Sequence, residues 1–253
     1  MQPQSTHTGQ GRMRLKFLMV NLFAFCVLCG VVSHAQDNGS TEIDLYTPLV
    51  LSLPVDDTTI SNPFDNREIE VLGIFTSPAG VQSVVPGFWL QPYSDQCPAP
   101  CPVADFQPSG EPVWQVRFTP REAGTWTYTL QIRRDGAVQR AEEGGFLVRD
   151  SDHDGFIRVG ENRRYFTFDS GKPYLPVGMN LKWSWDGIGG VRTYQYWLRD
   201  LSASGVNYAR LYIDTPWFIS LDWAGPAGDY RAAQRAAAEL DAILDTAAQY
   251  GIA

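Results

Sequence analysis

The stretch from Pro173 to Asp214 constrains this chain more than any other, because it reads as strand, helix and strand in immediate succession. Leu175 to Lys182 is a mostly apolar run, suited to a strand buried on both faces. Tyr194, Trp197, Leu198 and Leu201 then recur at i, i+3, i+4 and i+7, one stripe of an amphipathic helix. Gly205 falls where that helix should stop, since glycine enters the left-handed C-terminal position without a steric penalty. Tyr208 to Asp214 is the second strand. Two strands joined through a helix over so short a span form a right-handed parallel crossover, the unit of α/β barrels and doubly wound sheets.

Side chains alternate faces along a strand. Ala209, Leu211 and Ile213 therefore share one face of the second strand, suited to packing under helices. Tyr208, Arg210, Tyr212 and Asp214 share the other. In a closed barrel this second face is the interior near the catalytic mouth, so Arg210 and Asp214 become candidate site residues.

The N-terminus carries an export address. Arg12, Arg14 and Lys16 precede an apolar run from Phe17 to Val32, and Ser33-His34-Ala35 offers small residues at −3 and −1 of a cleavage site after Ala35. Residues 1–35 are thus expected to be a signal peptide, 36–42 a spacer, and the protein secreted or periplasmic, without a membrane partner after cleavage. The formal charge is −8, and loss of the signal removes three cations and no acid. An acidic surface argues against a nucleic-acid partner. Of the cysteines, only Cys97 and Cys101 outlast the cut. An oxidising destination and the CPAPC spacing suit a local disulfide, and partner ligands for zinc are lacking.

From Ile43 to Val148 the signals are short strands between Pro, Gly, Asn and Asp clusters, with no helical stripe. Ile43–Leu53, Glu68–Phe75, Val84–Leu90, Val113–Phe118, Thr125–Ile132 and Gly145–Val148 are the expected strands. Together they predict an immunoglobulin-like β-sandwich over 43–149. Trp114, Val116 and Phe118, and likewise Trp126, Tyr128 and Leu130, alternate with polar residues and supply its core.

SNPFDNREIEVLGIFTSPAG, VVPGFWL, VRFTPREAGTWTYTLQI and GGFLV resemble an N-terminal β-sandwich of secreted bacterial glycoside hydrolases, known as domain of unknown function 5060. The likeness covers most of residues 43–149, and the RFTPREAGTW turn is its most specific part. The Cys97–Cys101 insert lies outside the resemblance. Asp150, Asp152, Asp154 and Glu161, with Gly155, match the spacing of a calcium loop. The flanking GGFLVR, FIRV and YFTF read as strands, however, so an EF-hand is rejected, and 150–164 is expected to be an acidic linker with calcium only a weak candidate.

RYFTFDSGKPYLPVGMN resembles the start of the catalytic barrel of the same enzymes, and GVNYARLYI the second strand of clan A glycoside hydrolases. That resemblance implies an incomplete (β/α)8 barrel over 165–253, holding the first two strand–helix units only. It also implies that Arg210 supports a nucleophilic carboxylate, because a fixed guanidinium favours the ionised form. Asn180, near the end of the first strand, can hydrogen-bond a sugar hydroxyl. Trp183 and Trp185 follow the first strand, and Trp217 and Trp223 the second. Barrel topology places such loops at the mouth, where an indole suits the C–H face of a pyranose and Asp214 its hydroxyls.

A second helix is expected after Asp229, with Ala233, Ala236, Ala237, Leu240, Ile243, Leu244 and Ala247 as its stripe, Gly251 at its end and Ile252-Ala253 starting a third strand. Glycoside hydrolysis uses two carboxylates. In the resembled clan these are glutamates on strands four and seven, neither of which is present here. The sequence therefore reads as the N-terminal fragment of a secreted glycoside hydrolase acting on a polysaccharide, inactive alone and without a cofactor. The alternative is a non-catalytic carbohydrate-binding or cell-surface module.

Overall fold

The computed structural model describes residues 41–56, 59–182, 190–213 and 218–253, all within one compact unit. Two regions share that unit.

The first region begins with β1 (Thr41–Asp44) and β2 (Leu49–Pro54), where the sequence suggested one strand. A turn separates them: Thr47 N–H donates to the Asp44 carbonyl at 3.0 Å, and Tyr46 sits at φ 66°. The strands that follow are β3 (Glu70–Thr76), β4 (Gln82–Pro86), β5 (Phe88–Leu90), β6 (Tyr93–Asp95), β7 (Phe106–Pro108), β8 (Val113–Phe118), β9 (Gly124–Arg134) and β10 (Ala137–Arg149). Asp135-Gly136, both at positive φ, make the tight turn between β9 and β10 that such a pair favours.

A five-stranded sheet runs β1-β10-β9-β3-β4, and a three-stranded sheet runs β2-β8-β5. Period-two alternation aims Val71 and Phe75, Trp114 and Val116, Trp126 and Leu130, and Phe146 and Val148 into one buried core fed by both sheets. Phe75 of one sheet stacks on Phe118 of the other with centroids 4.0 Å apart. The buried Trp126 indole would lose a water partner, and instead donates to the Glu122 carbonyl at 2.8 Å. The pair β6-β7 stands apart from both sheets and brackets the Cys97–Cys101 loop.

Within the acidic segment 150–164, FIRV forms β11 (Ile157–Val159), as it reads, and pairs with β12 (Phe166–Phe168) from YFTF, itself paired with β13 (Pro173–Tyr174). Asp169 ties this hairpin down. It accepts from Arg158 at 2.8 Å and from the Phe156 N–H at 3.1 Å, and faces Arg121 at 3.7 Å. The Arg158 hydrogen bond, against the opposing effect of burial, holds its carboxyl below the ordinary range.

The second region holds β14 (Gly178–Leu181), α1 (Val191–Ala203), β15 (Tyr208–Leu211) and α2 (Gln234–Gln249). β14 and β15 pair in parallel, with Asn180 opposite Arg210. At Gly178 a Cβ would fall 1.9 Å from the Tyr208 carbonyl oxygen, so only glycine fits. The α1 stripe packs as its spacing requires, with Tyr194 and Leu198 sealed and Trp197 and Leu201 at their margin. Gly205, at φ 83°, ends the helix, and Val206 N–H closes back onto the Leu201 carbonyl at 3.0 Å.

Four expectations need correcting. The first strand is not buried on both faces: Leu175 is 73% exposed and Val177 and Met179 each 49%, because among the described residues β14 starts only at Gly178 and pairs along one edge alone, with β15. Ile213 is exposed rather than packed with Ala209 and Leu211, since the ladder ends at Leu211. Leu244 is exposed while Gln234 and Thr246 are buried on α2. The helix starts later than Asp229, which instead accepts from Arg231 N–H in the short 3-10 turn before it. At the end of the chain, Ala253 donates to the Asn207 carbonyl at 3.0 Å and accepts from Ala209 N–H at 2.9 Å. This is the bond pattern of a parallel neighbour beside β15.

The core of the second region is not made by that region alone. Phe106 lies within it, and Tyr93 and Ala104 pack against it, all three from the excursion around β6 and β7. Polar ties reinforce the seam. Gln91 N–H donates to the buried Gln234 side chain at 3.0 Å, Arg117 grips Asp241 with both terminal nitrogens, and Phe64 meets Tyr230 edge-on.

Candidate functional site

The face of β14 and β15 turned away from α1 carries two of the expected site residues, Asn180 and Arg210. Asn180 and Arg210 are register partners, so their backbones lie one strand spacing apart, about 4.8 Å. Both are exposed. The Arg210 guanidinium lies 5.6 Å from the centre of the Tyr212 ring, a contact that orients the cation without consuming its hydrogen-bond donors. An amide and a guanidinium side by side offer donors to a carboxylate or to sugar hydroxyls.

Neighbouring elements fix this strand pair. Tyr194 O–H donates to the Lys182 carbonyl at 2.6 Å, so α1 holds the end of β14. Asn207, which the sequence reading passed over, accepts from Val177 N–H at 2.7 Å and donates to the Leu175 carbonyl at 3.0 Å. Its own carbonyl accepts from Tyr174 O–H at 2.9 Å. The GVNYAR spacing puts Asn207 one residue before the strand, where a side-chain amide can serve both flanking segments.

Of the remaining expected sugar contacts, Trp183, Trp185, Asp214 and Trp217 lie outside the described residues. Trp223, in the segment between β15 and α2, is 63% exposed. Its neighbour Asp222 lines a groove of about 440 Å3 between the first region and α2. Phe88, Trp89, Tyr230, Arg117 and Asp241 line the same groove. In the sequence Trp89 reads only as part of the Val84–Leu90 strand. The GFWL run signals an aromatic pair; Phe64 meets Trp89 edge-on and Arg117 lies over Phe88, but the α2 side of the groove lies more than a hundred positions away.

The calcium candidates do not converge. Asp154 is engaged by Lys172 at 2.8 Å and by Ser170 at 3.0 Å, and the Lys172 hydrogen bond lowers its pKa. Asp150 and Asp152 precede β11, and Glu161 lies beyond it in the turn to β12. Among the described residues no three His, Cys, Asp or Glu side chains group so as to hold a metal. Among the same residues no helix is long and apolar enough to cross a membrane.

Cys97 and Cys101 form a disulfide with Cα atoms 5.6 Å apart. The loop it closes meets Arg192, in the first turn of α1, which is only 3% exposed. That guanidinium pairs with Asp95 and donates to the Cys97 carbonyl at 2.6 Å, the Cys101 carbonyl at 3.2 Å and Gln195 at 2.5 Å. Asp95 also accepts from Cys97 and Asp105 N–H groups at 3.0 and 2.9 Å. Burial raises its pKa, but these two backbone bonds and Arg192 outweigh that, and the net shift is downward.

Comparison with known proteins adds two observations. Residues 42–133 match a family described as Domain of unknown function (DUF5060), which spans most of the first region. A crystal structure named "putative glycoside hydrolase" from Bacteroides vulgatus ATCC 8482 superposes with a TM-score of 0.56 at 18% identity, over 84% of this chain. At that identity the likeness is one of fold. The chain spans 40% of the length of that protein. No curated protein matches the chain.

Proposed function

We propose that this chain is the front portion of an exported glycoside hydrolase that cleaves O-glycosidic bonds of a polysaccharide. In this reading residues 1–35 are the export signal, the two-sheet region is the accessory sandwich, and β14-α1-β15-α2 opens a (β/α)8 barrel. The observation that carries it is the parallel pair with Asn180 beside Arg210 on the face away from the helix, joined to a region that matches DUF5060. The fold likeness to the Bacteroides structure, which is larger than this chain, supports the same reading. The acid and the nucleophile are then carboxylates on strands beyond β15. Arg210 keeps the nucleophile ionised, Asn180 holds a sugar hydroxyl, and Trp183, Trp185, Trp217 and Trp223 with Asp214 shape the sugar cleft.

The test is release of reducing ends from plant, algal and microbial polysaccharides by the whole secreted protein. Arg210→Gln is expected to move the acid limb of kcat/KM to higher pH, by about one to three units, as a carboxylate loses a neighbouring cation. Retention on a polysaccharide without any bond cleavage would instead favour a non-catalytic binding module.

A further inference from the structure

The Cys97–Cys101 loop has no place in the hydrolase reading, yet it meets the second region at Arg192, the most buried charge among the described residues. The loop is held to α1 by Arg192, whose side chain is 4% exposed. Two of the acceptors that surround this guanidinium are the carbonyls of the two cysteines themselves, and a third is Asp95. A five-residue ring is what brings those two carbonyls to bear on one cation. Asp95 fastens the other side of the ring through the Cys97 and Asp105 N–H groups. From Arg192 a short path leads to the strand pair. Arg192 lies in the first turn of α1, Tyr194 follows two residues later, and its hydroxyl holds the Lys182 carbonyl at the end of β14. Asn180 is two residues back along that strand.

We infer that the Cys97–Cys101 disulfide is a redox-sensitive latch: closed, it fixes the first turn of α1 and through it the Asn180 end of β14; opened, it releases both. The ring is reachable, since both cysteines are half-buried and Pro98, Ala99 and Pro100 are exposed. The chemistry is thiol–disulfide exchange with a dithiol reductant. A thiolate of the reductant attacks one cysteine sulfur and the S–S bond breaks to give a mixed disulfide. The second thiol of the reductant then displaces the protein, so two electrons and two protons end on Cys97 and Cys101 and the reductant leaves as its own disulfide. The opened segment regains the backbone freedom that ring closure removed, and its carbonyls no longer converge on Arg192. The latch stands whether or not the chain hydrolyses a sugar, because it is read from backbone protection.

The experiment is hydrogen–deuterium exchange on the full chain, oxidised and after dithiothreitol, with thiol alkylation to confirm the state of the cysteines. Reduction should speed exchange in peptides covering 95–105, 178–182 and 191–198 by roughly tenfold or more, the change expected for loss of a charge-assisted hydrogen bond. Peptides from β9 and β10 should not change. Arg192→Gln, with the disulfide intact, should reproduce the effect in 178–182 and 191–198. Equal exchange in the two redox states overturns the latch, as does faster exchange spread evenly through β9 and β10. A disulfide that resists the reductant in the folded protein overturns its redox sensitivity.

Discussion

Phe75 and Leu198 are both sealed from solvent, but by different means. Phe75 is enclosed by its own region: Phe118 stacks on it from the opposite sheet, Tyr128 flanks it, and both neighbours are within fifty-three residues in sequence. Leu198 belongs to a core completed by Phe106, Tyr93 and Ala104, more than ninety residues upstream. At the free edge of β14 the second region stays open even on its helix side, where Met179, the register partner of Ala209, is 49% exposed, as are Leu175 and Val177 just before the strand. A pair of packed sheets can close a core alone, since each covers the other's apolar face. A parallel crossover covers one face with its helices and needs further elements for the other. Here the excursion around β6 and β7 supplies part of what the helices lack.

The hardest way to break this contrast is Phe106→Ala. It should cost about 3–5 kcal/mol, as burial and cavity losses do at a large aromatic. The loss should be felt in α1 and α2, although Phe106 belongs by sequence to the first region. Urea unfolding followed by exchange on 191–203 and 234–249 measures it. Equal loosening of β3 and β9 would mean that the two cores are one.

A gentler probe is acid. The depressed pKa of Asp95 means that its contribution is full above the unfolded value, about 3.9. It fades as pH falls through the lower folded value. Protection of the 95–105 and 191–198 peptides should therefore persist at pH 5 and decline towards pH 2. Asp95→Asn should flatten that decline relative to the unaltered protein, since other acid-sensitive carboxylates such as Asp169 and Asp154 are shared by both. An unchanged slope would remove Asp95 from the seam.

How far the sequence revealed this follows from the same contrast. Alternation in Trp126-Thr-Tyr128-Thr-Leu130 is a local signal, and the strand it implies is present. So is the α1 stripe with Gly205 at its end. β10, by contrast, runs from Ala137 to Arg149 after the Asp135-Gly136 turn, and only its Gly145–Val148 end is expected from the sequence. The seam was illegible because none of its partners is near in sequence: Arg192 reads as one cation on a helix, and Asp95 as one acid in a loop. Their pairing emerges only once the Cys97–Cys101 loop is folded. The open face of β14 was misread for the opposite reason. An apolar run promises burial, but burial depends on how many neighbours the strand finds. Asn180 and Arg210 fall on the same face because parity and register are local arithmetic, whereas the groove at Trp89 and Asp222 joins segments that no spacing rule connects.

The mildest test separates packing from recognition at Trp223. An indole 63% exposed contributes little to folding, so Trp223→Ala should alter stability by no more than about 0.5 kcal/mol, the range of surface substitutions. Under the proposed function its apolar face would still stack on a sugar ring, and its loss should weaken polysaccharide retention by about tenfold, equivalent to about 1.4 kcal/mol. Affinity electrophoresis beside thermal unfolding reads both quantities from one preparation. A stability loss of several kcal/mol with unchanged retention would make Trp223 a cover for the seam beside Asp222, and would move the sugar contacts elsewhere. The expected result, lost retention at constant stability, would place recognition on the second region, the one that depends on its neighbour for a core.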